Sequence, residues 1–247
     1  MHLLMTSTAT VTDARRAVLH RRIRLIVAAT IGYNVIEAIV AITAGSIASS
    51  VALIGFGLDS TIEVLSAAAV AWQFTRRDPE RWERGTLRVI AVAFFALAAY
   101  VTVSSLLALA GAVEPGHSTI GLVLTAVSVA VMPLLSLAER RAGRELGSAT
   151  AVADSKQTLI CAFLSAAVLL GLLLNSLFGW WWADPIAGLV IVAFAVREGI
   201  EAWKGDACAT SVGMILEDEV FICRSCGLWV AVRLEATVRS GIPCRVR

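Results

Sequence analysis

The sequence predicts an all-α membrane protein with six transmembrane helices, and three observations carry that prediction. Apolar residues fall into six long blocks, the basic residues gather in alternate connections, and only 16% of the 247 residues are charged, against about 25% in ordinary soluble domains. The blocks run over 23–44, 50–74, 89–113, 119–138, 151–178 and 184–203. A bilayer core of about 30 Å needs about 20 helical residues, and each block is near that length. Spanning strands do not fit, because they would be about ten residues long and alternate in polarity.

Taken in order, residues 1–22 are polar and carry Arg15, Arg16, Arg21 and Arg22. No apolar stretch precedes those arginines, so this segment is expected to be a cytoplasmic N-terminal segment and not an ordinary cleaved signal peptide. Between spans two and three lie Arg76, Arg77, Arg81, Arg84 and Arg88; between spans four and five, Arg140, Arg141 and Arg144; with span six, Arg197 and Lys204. The connections 45–49, 114–118 and 179–183 contain no Lys or Arg. The positive-inside rule makes the basic side cytoplasmic and places both termini there. Trp180, Trp181 and Trp182 then meet the outer interface, and Trp72, Trp82 and Trp203 the inner one, where indole rings are favoured. The expected division is 1–22 cytoplasmic segment, 23–205 membrane domain and 206–247 short cytoplasmic tail. In a bacterium the host membrane would be the plasma membrane. A net charge of +2 gives no electrostatic ground for a nucleic-acid partner, and five cysteines without secreted-scaffold spacing predict no disulfide framework.

Chemistry in such a chain is sought at polar residues inside the spans, which are costly in hydrocarbon and face a partner or a water-filled path. Asp59 and Glu63 are four apart in span two, so they stack on one helical face. Asp59 lies roughly 14 Å into the span at 1.5 Å per residue, near the midplane. Two carboxylates so placed cannot both stay ionised and unpaired. Either they share protons, as a structural pair would, or a cation sits between them.

Span five carries Asp154, Gln157 and Cys161, spaced three and then four and so on one face. A deprotonated Cys is a soft metal ligand, and Asp and Gln supply oxygen. The alternatives are that Cys161 is a small buried hydrophobe and that Asp154 caps the start of its helix. Lys156 lies off that face and can snorkel to the interface. In span one, Asn34 and Glu37 are three apart on one face; they either line the same path in a secondary role or pair with a neighbouring helix. Asn175 and His117 are read as outer interfacial groups.

The stretch Gly45-Ser46-Ile47-Ala48-Ser49-Ser50-Val51-Ala52-Leu53-Ile54-Gly55-Phe56-Gly57-Leu58-Asp59-Ser60-Thr61-Ile62-Glu63 resembles the second helix of the cation diffusion facilitators (CDF), six-helix divalent-cation/proton antiporters. Ala153-Asp154-Ser155-Lys156-Gln157-Thr158-Leu159-Ile160-Cys161 resembles their fifth helix, and Asp184-Pro185-Ile186-Ala187 opens span six as in that family. The wording Gly55-Phe56-Gly57-Leu58-Asp59 is similar to a divergent branch that includes vertebrate vesicular zinc transporters. The resemblance covers residues 22–205. It implies that Asp59, Glu63, Gln157 and Cys161 are metal ligands; beside them, the polar residues Asp154, Glu37 and Asn34 are the candidates for a secondary role. It also implies efflux of a divalent cation, zinc by its donor set, against protons, and a homodimer in the lipid bilayer. No prosthetic group is expected, because the ion is cargo. The family's fifth-helix ligands are usually His or Asp, whereas here they are Gln and Cys. The family also usually ends in a cytosolic metal-binding domain, and the residues after span six are too few for that fold.

Within the tail, 228–238 alternates well enough for one strand, and Cys223-Arg224-Ser225-Cys226 with Cys208 and Cys244 offers four thiols. A structural zinc site is one reading; an irregular tail with incidental cysteines is the other. Two rival functions stand beside transport. A non-transporting membrane scaffold or metal-binding protein would keep the fold with a degenerate site. An intramembrane enzyme would need a nucleophile beside a base, yet His2, His20 and His117 all lie outside the mid-membrane region, so no enzyme is expected.

Overall fold

The computed structural model describes residues 13–74, 79–146 and 149–204. These form six helices: α1 Asp13–Ala48, α2 Val51–Phe74, α3 Pro79–Leu109, α4 Thr119–Leu146, α5 Ala149–Phe178 and α6 Ala183–Lys204. The shortest, α6 with 22 residues, extends about 33 Å at 1.5 Å per residue, enough for the hydrocarbon core. Five helices are long and apolar enough to cross a membrane by length and composition. The exception is α6, where Asp184 near the start and Arg197, Glu198, Glu201 and Lys204 in the last turns dilute the apolar stretch. Its place in the membrane rests on packing against α3, α5 and α2 more than on its own hydropathy.

Helices also run beyond the apolar edges read from the sequence. α1 begins ten residues earlier than the first apolar block, and α4 continues to Leu146 through Arg140, Arg141 and Arg144. Backbone hydrogen bonding does not stop where hydrocarbon does, so the arginine-bearing turns simply extend the helices beyond the apolar spans. α3 opens at Pro79, a residue suited to a first helical position because its missing N–H would be unpaired there. The tail with its expected strand and Cys-x-x-Cys, the side chains of Arg76, Arg77, Arg81 and Trp82, and most of the N-terminal segment lie outside the described residues.

Neighbouring helices close a circuit α1–α4–α5–α6–α3–α2, with α2 also touching α6 and α5. α2 is therefore central. On one side it meets a cluster from α3 and α6 that includes Phe94, Leu97, Val101 and Ala195. On the other, Leu53 and Phe56 pack with Leu164, Val168, Leu172 and Ile191. Lipid offers no hydrophobic drive between helices, so close approach through small residues decides such packing. Gly57 is one such residue: a Cβ there would lie 2.8 Å from Ile42 Cγ1 and 2.9 Å from the Ile42 backbone nitrogen. Gly45 meets Ile54 as tightly. The antiparallel register so fixed, 45 beside 54 and 42 beside 57, carries on to Glu37 beside Ser60 and Asn34 beside Glu63. Two glycines thus align the polar residues of α1 with those of α2.

The three connections without Lys or Arg meet at one end of the bundle. Gly116 N–H donates to the Ala48 carbonyl at 2.7 Å. Asn175 Nδ2 donates to the Pro115 carbonyl at 2.9 Å, so Asn175 is a buried tie between α5 and the α3–α4 connection and not an interfacial group; His117 is exposed. At this end Gly179, with φ 67°, closes α5: its N–H donates to the Asn175 carbonyl and that of Trp180 to the Leu174 carbonyl, the left-handed cap that glycine adopts without strain. Trp180 stacks on Trp182, ring centroids 5.2 Å apart. At the opposite end the Arg88 guanidinium lies over the Trp203 ring, joining α3 to α6 among the arginines.

Asp184 does more than open α6. Its carboxylate is fully buried, accepts the Ser50 hydroxyl at 2.5 Å, and accepts the N–H groups of Val51 at 2.9 Å and Ala52 at 3.4 Å. Ser50 in turn accepts the Leu53 N–H at 3.1 Å. The first N–H groups of a helix lack internal partners, and an anion there is favoured. Asp184 therefore holds the start of α2 from α6. Asp184→Ala should lower the thermal unfolding temperature of the solubilised protein, at about 1–3 kcal/mol for each buried donor left unmatched. Asp184→Asn, whose amide oxygen still accepts, should lose less. An unchanged midpoint in Asp184→Ala would contradict this role.

Candidate functional site

Near the middle of α2, residues from two other helices, α1 and α5, converge on one carboxylate. Glu63 Oε2 accepts Asn34 Nδ2 at 2.7 Å from α1. Glu63 Oε1 accepts Cys161 Sγ at 2.7 Å and Gln157 Nε2 at 3.2 Å from α5. Cys161 and Asn34 are buried, and Glu63 and Gln157 are partly buried. The 157/161 spacing places both α5 donors on the face toward α2, as the sequence predicts. Cys161 is thus a thiol that donates into a polar centre, not a hydrophobe among hydrophobes.

Asp59, one turn earlier on α2, is buried and takes part in no hydrogen bond among the described residues. The groups acting on it electrostatically are the carboxylates of Glu63, Glu198 and Glu37. Negative charge concentrated in this way, out of water, requires protons or a cation to balance it. Glu198, in the C-terminal half of α6, is a partly buried acid whose charge acts on Asp59 and which reading the sequence did not single out. The signal was available, since it is a further acid inside an apolar block, but it was masked by neighbouring Arg197 and Glu201, which pair at 2.9 Å and make that turn look like a solvated helix end.

Of the secondary residues, Asn34 joins Glu63 directly. Glu37 instead forms a separate buried network: it accepts Ser60 Oγ at 2.8 Å from α2 and Ser128 Oγ from α4, while Tyr33 bonds Ser128 at 2.7 Å. Serines are common in packed membrane helices, so nothing in the sequence singles out Ser60 or Ser128. The side chain of Asp154 lies outside the described residues.

Chemically, the set offers two carboxylates, one thiol and two amides, all able to bind a cation. In the geometry seen, the thiol and both amides direct hydrogens at Glu63, so one carboxylate satisfies all three donors. Among the described residues no three His, Cys, Asp or Glu side chains are grouped closely enough to hold a metal ion. Binding an ion would thus need the thiol to lose its proton, each amide to turn its oxygen inward, and the carboxylates and thiol to draw closer together.

Residues 26–204 match the cation efflux transmembrane domain. The chain belongs to that family. The match covers all of α2 to α6 and most of α1, so the cation efflux fold is the frame in which α2 and α5 face one another. The chain is also similar to the cation-efflux pump FieF of Shewanella oneidensis, 33% identical over 85 residues, which is 34% of this chain and 28% of that pump. The similarity thus spans well under half of the pump's length. As in cation efflux proteins generally, the chain is an integral, multi-pass membrane protein.

Proposed function

We propose that this chain moves a divalent metal cation out of the cytoplasm in exchange for protons, with Asp59, Glu63, Cys161 and Gln157 as the transport site. The observation that carries the proposal is the convergence of Gln157 and Cys161 on Glu63, with the buried carboxylate of Asp59 one turn away. Family membership and the name of the Shewanella relative, a cation-efflux pump, point the same way.

A cation entering from the basic, cytoplasmic end loses water to these ligands. The thiol proton and any proton on the carboxylates must leave, which ties metal binding to proton release. Rocking of the helices then exposes the site outward, where protons reload it and the ion departs. One thiolate with carboxylate oxygens suits zinc, and the site sits in one copy of a chain that we propose works as a homodimer.

The test is flux. Purified protein in liposomes should take up zinc faster than empty liposomes, faster still when the lumen is the more acidic side, and with matching proton efflux. Zinc entry at the protein-free rate under both gradient directions would defeat the proposal. Cys161→Ser refines it. Serine keeps the size but is a poor ligand for soft ions, so zinc and cadmium flux should fall several-fold more than manganese flux. Equal losses for all three metals would mean that Cys161 only packs.

A further inference from the structure

The hydrogen bonds around Glu63 include one group that a purely structural role leaves unexplained. Asn34 is 6% exposed. Its Nδ2 donates to Glu63 Oε2 at 2.7 Å, but its Oδ1 is buried and has no hydrogen-bond partner among the described residues. A buried amide oxygen without a donor loses its hydration with no return. An apolar residue or a serine would avoid that cost.

From this we infer that Asn34 is a metal ligand supplied by α1, its Oδ1 adding a neutral oxygen to the ion held by Glu63. The inference rests on the transport-site reading above and extends it from two helices to three. The amide oxygen and nitrogen share one carbon. An ion bound to Glu63 Oε2 therefore lies within reach of Oδ1, either directly or after rotation about the Cβ–Cγ bond. The ion supplies the positive partner that Oδ1 lacks. The substrate class is a divalent cation that tolerates mixed oxygen and sulfur ligands, since Asn34 adds a hard, uncharged donor opposite the soft thiolate of Cys161. A second consequence is mechanical: with α1 ligating, the ion couples α1 to both α2 and α5, so α1 is part of the moving element and not an outer wall.

The role as ligand and the role as mere hydrogen-bond donor to Glu63 give opposite results in one substitution. Cobalt is the probe, because its visible absorption reports its ligands and its charge-transfer band reports a bound thiolate. Full-length protein in nanodiscs is titrated with cobalt alone. Asn34→Leu should weaken cobalt binding about tenfold or more, the scale on which even groups around a metal site act, and should shift the visible bands; Asn34→Ala replaces it if the leucine variant fails to insert. Asn34→Asp, which puts a carboxylate oxygen where Oδ1 stands, should bind cobalt at least as tightly as the unaltered protein. If Asn34 only donates to Glu63, Asn34→Asp sets two carboxylates against each other and weakens binding as much as leucine does, and that result overturns the inference. Unchanged affinity and spectrum in Asn34→Leu overturns it too. Glu63→Ala and Asp59→Ala run alongside. If they also bind cobalt like the unaltered protein, it is the transport-site reading that fails; if they lose it while both Asn34 variants do not, only the assignment of Asn34 does.

Discussion

Glu63→Ala is expected to reduce zinc flux to the protein-free background. Glu63 is the one carboxylate on which Asn34, Gln157 and Cys161 all converge, so alanine removes both an anionic ligand and the group that gathers the others. The loss should also cost stability, because two amides and a thiol lose the acceptor they share. At about 1–3 kcal/mol for each unmatched buried group, the unfolding midpoint should drop measurably while the protein still inserts. Glu63→Gln sharpens the result. The amide keeps the shape and one acceptor oxygen, so stability should largely recover, but without the negative charge transport should not. Recovery of flux in Glu63→Gln would show that the site needs only shape at this position.

Asp59→Ala is expected to abolish transport to the same degree with the opposite effect on stability. Its carboxylate is buried, accepts no hydrogen bond among the described residues, and lies one helical turn from that of Glu63. Removing a costly, unsupported group should leave the unfolding midpoint unchanged or higher. Such a separation, full loss of function without loss of fold, marks a residue retained for binding. If Asp59→Ala destabilised the protein as Glu63→Ala does, the two carboxylates would instead be a structural pair, and the reading of α2 as ligand-bearing would lose its best support.

The architecture was legible because the bilayer imposes it. Six apolar blocks and three arginine-free connections are direct consequences of crossing hydrocarbon with a fixed orientation, and both reappear as six helices with those connections tied at one end. The four-residue spacings of Asp59 with Glu63 and of Gln157 with Cys161 put each pair on one face of its helix, and the family resemblance implied that the two faces meet. What could not be read was which helix lies beside which. Glu37 and Asn34 are equivalent in sequence, three apart on one face, yet one bonds Ser60 and Ser128 and the other Glu63. That difference is set by the α1–α2 register at Gly45 and Gly57, a contact between distant backbones. The Asp184 cap on α2 was hidden for the same reason, since a carboxylate opening one helix gives no hint that it serves the start of another.

Anomalous scattering from the zinc-loaded protein tests the central claim most directly, because it locates the ion without relying on activity. The account places a peak between α2 and α5, about 2.3 Å from Cys161 Sγ and about 2.0–2.2 Å from carboxylate oxygens of Asp59 and Glu63, with the thiol no longer donating to Glu63. Zinc bound only at exposed carboxylates, with the Glu63 hydrogen bonds intact and no peak within the bundle, would contradict it.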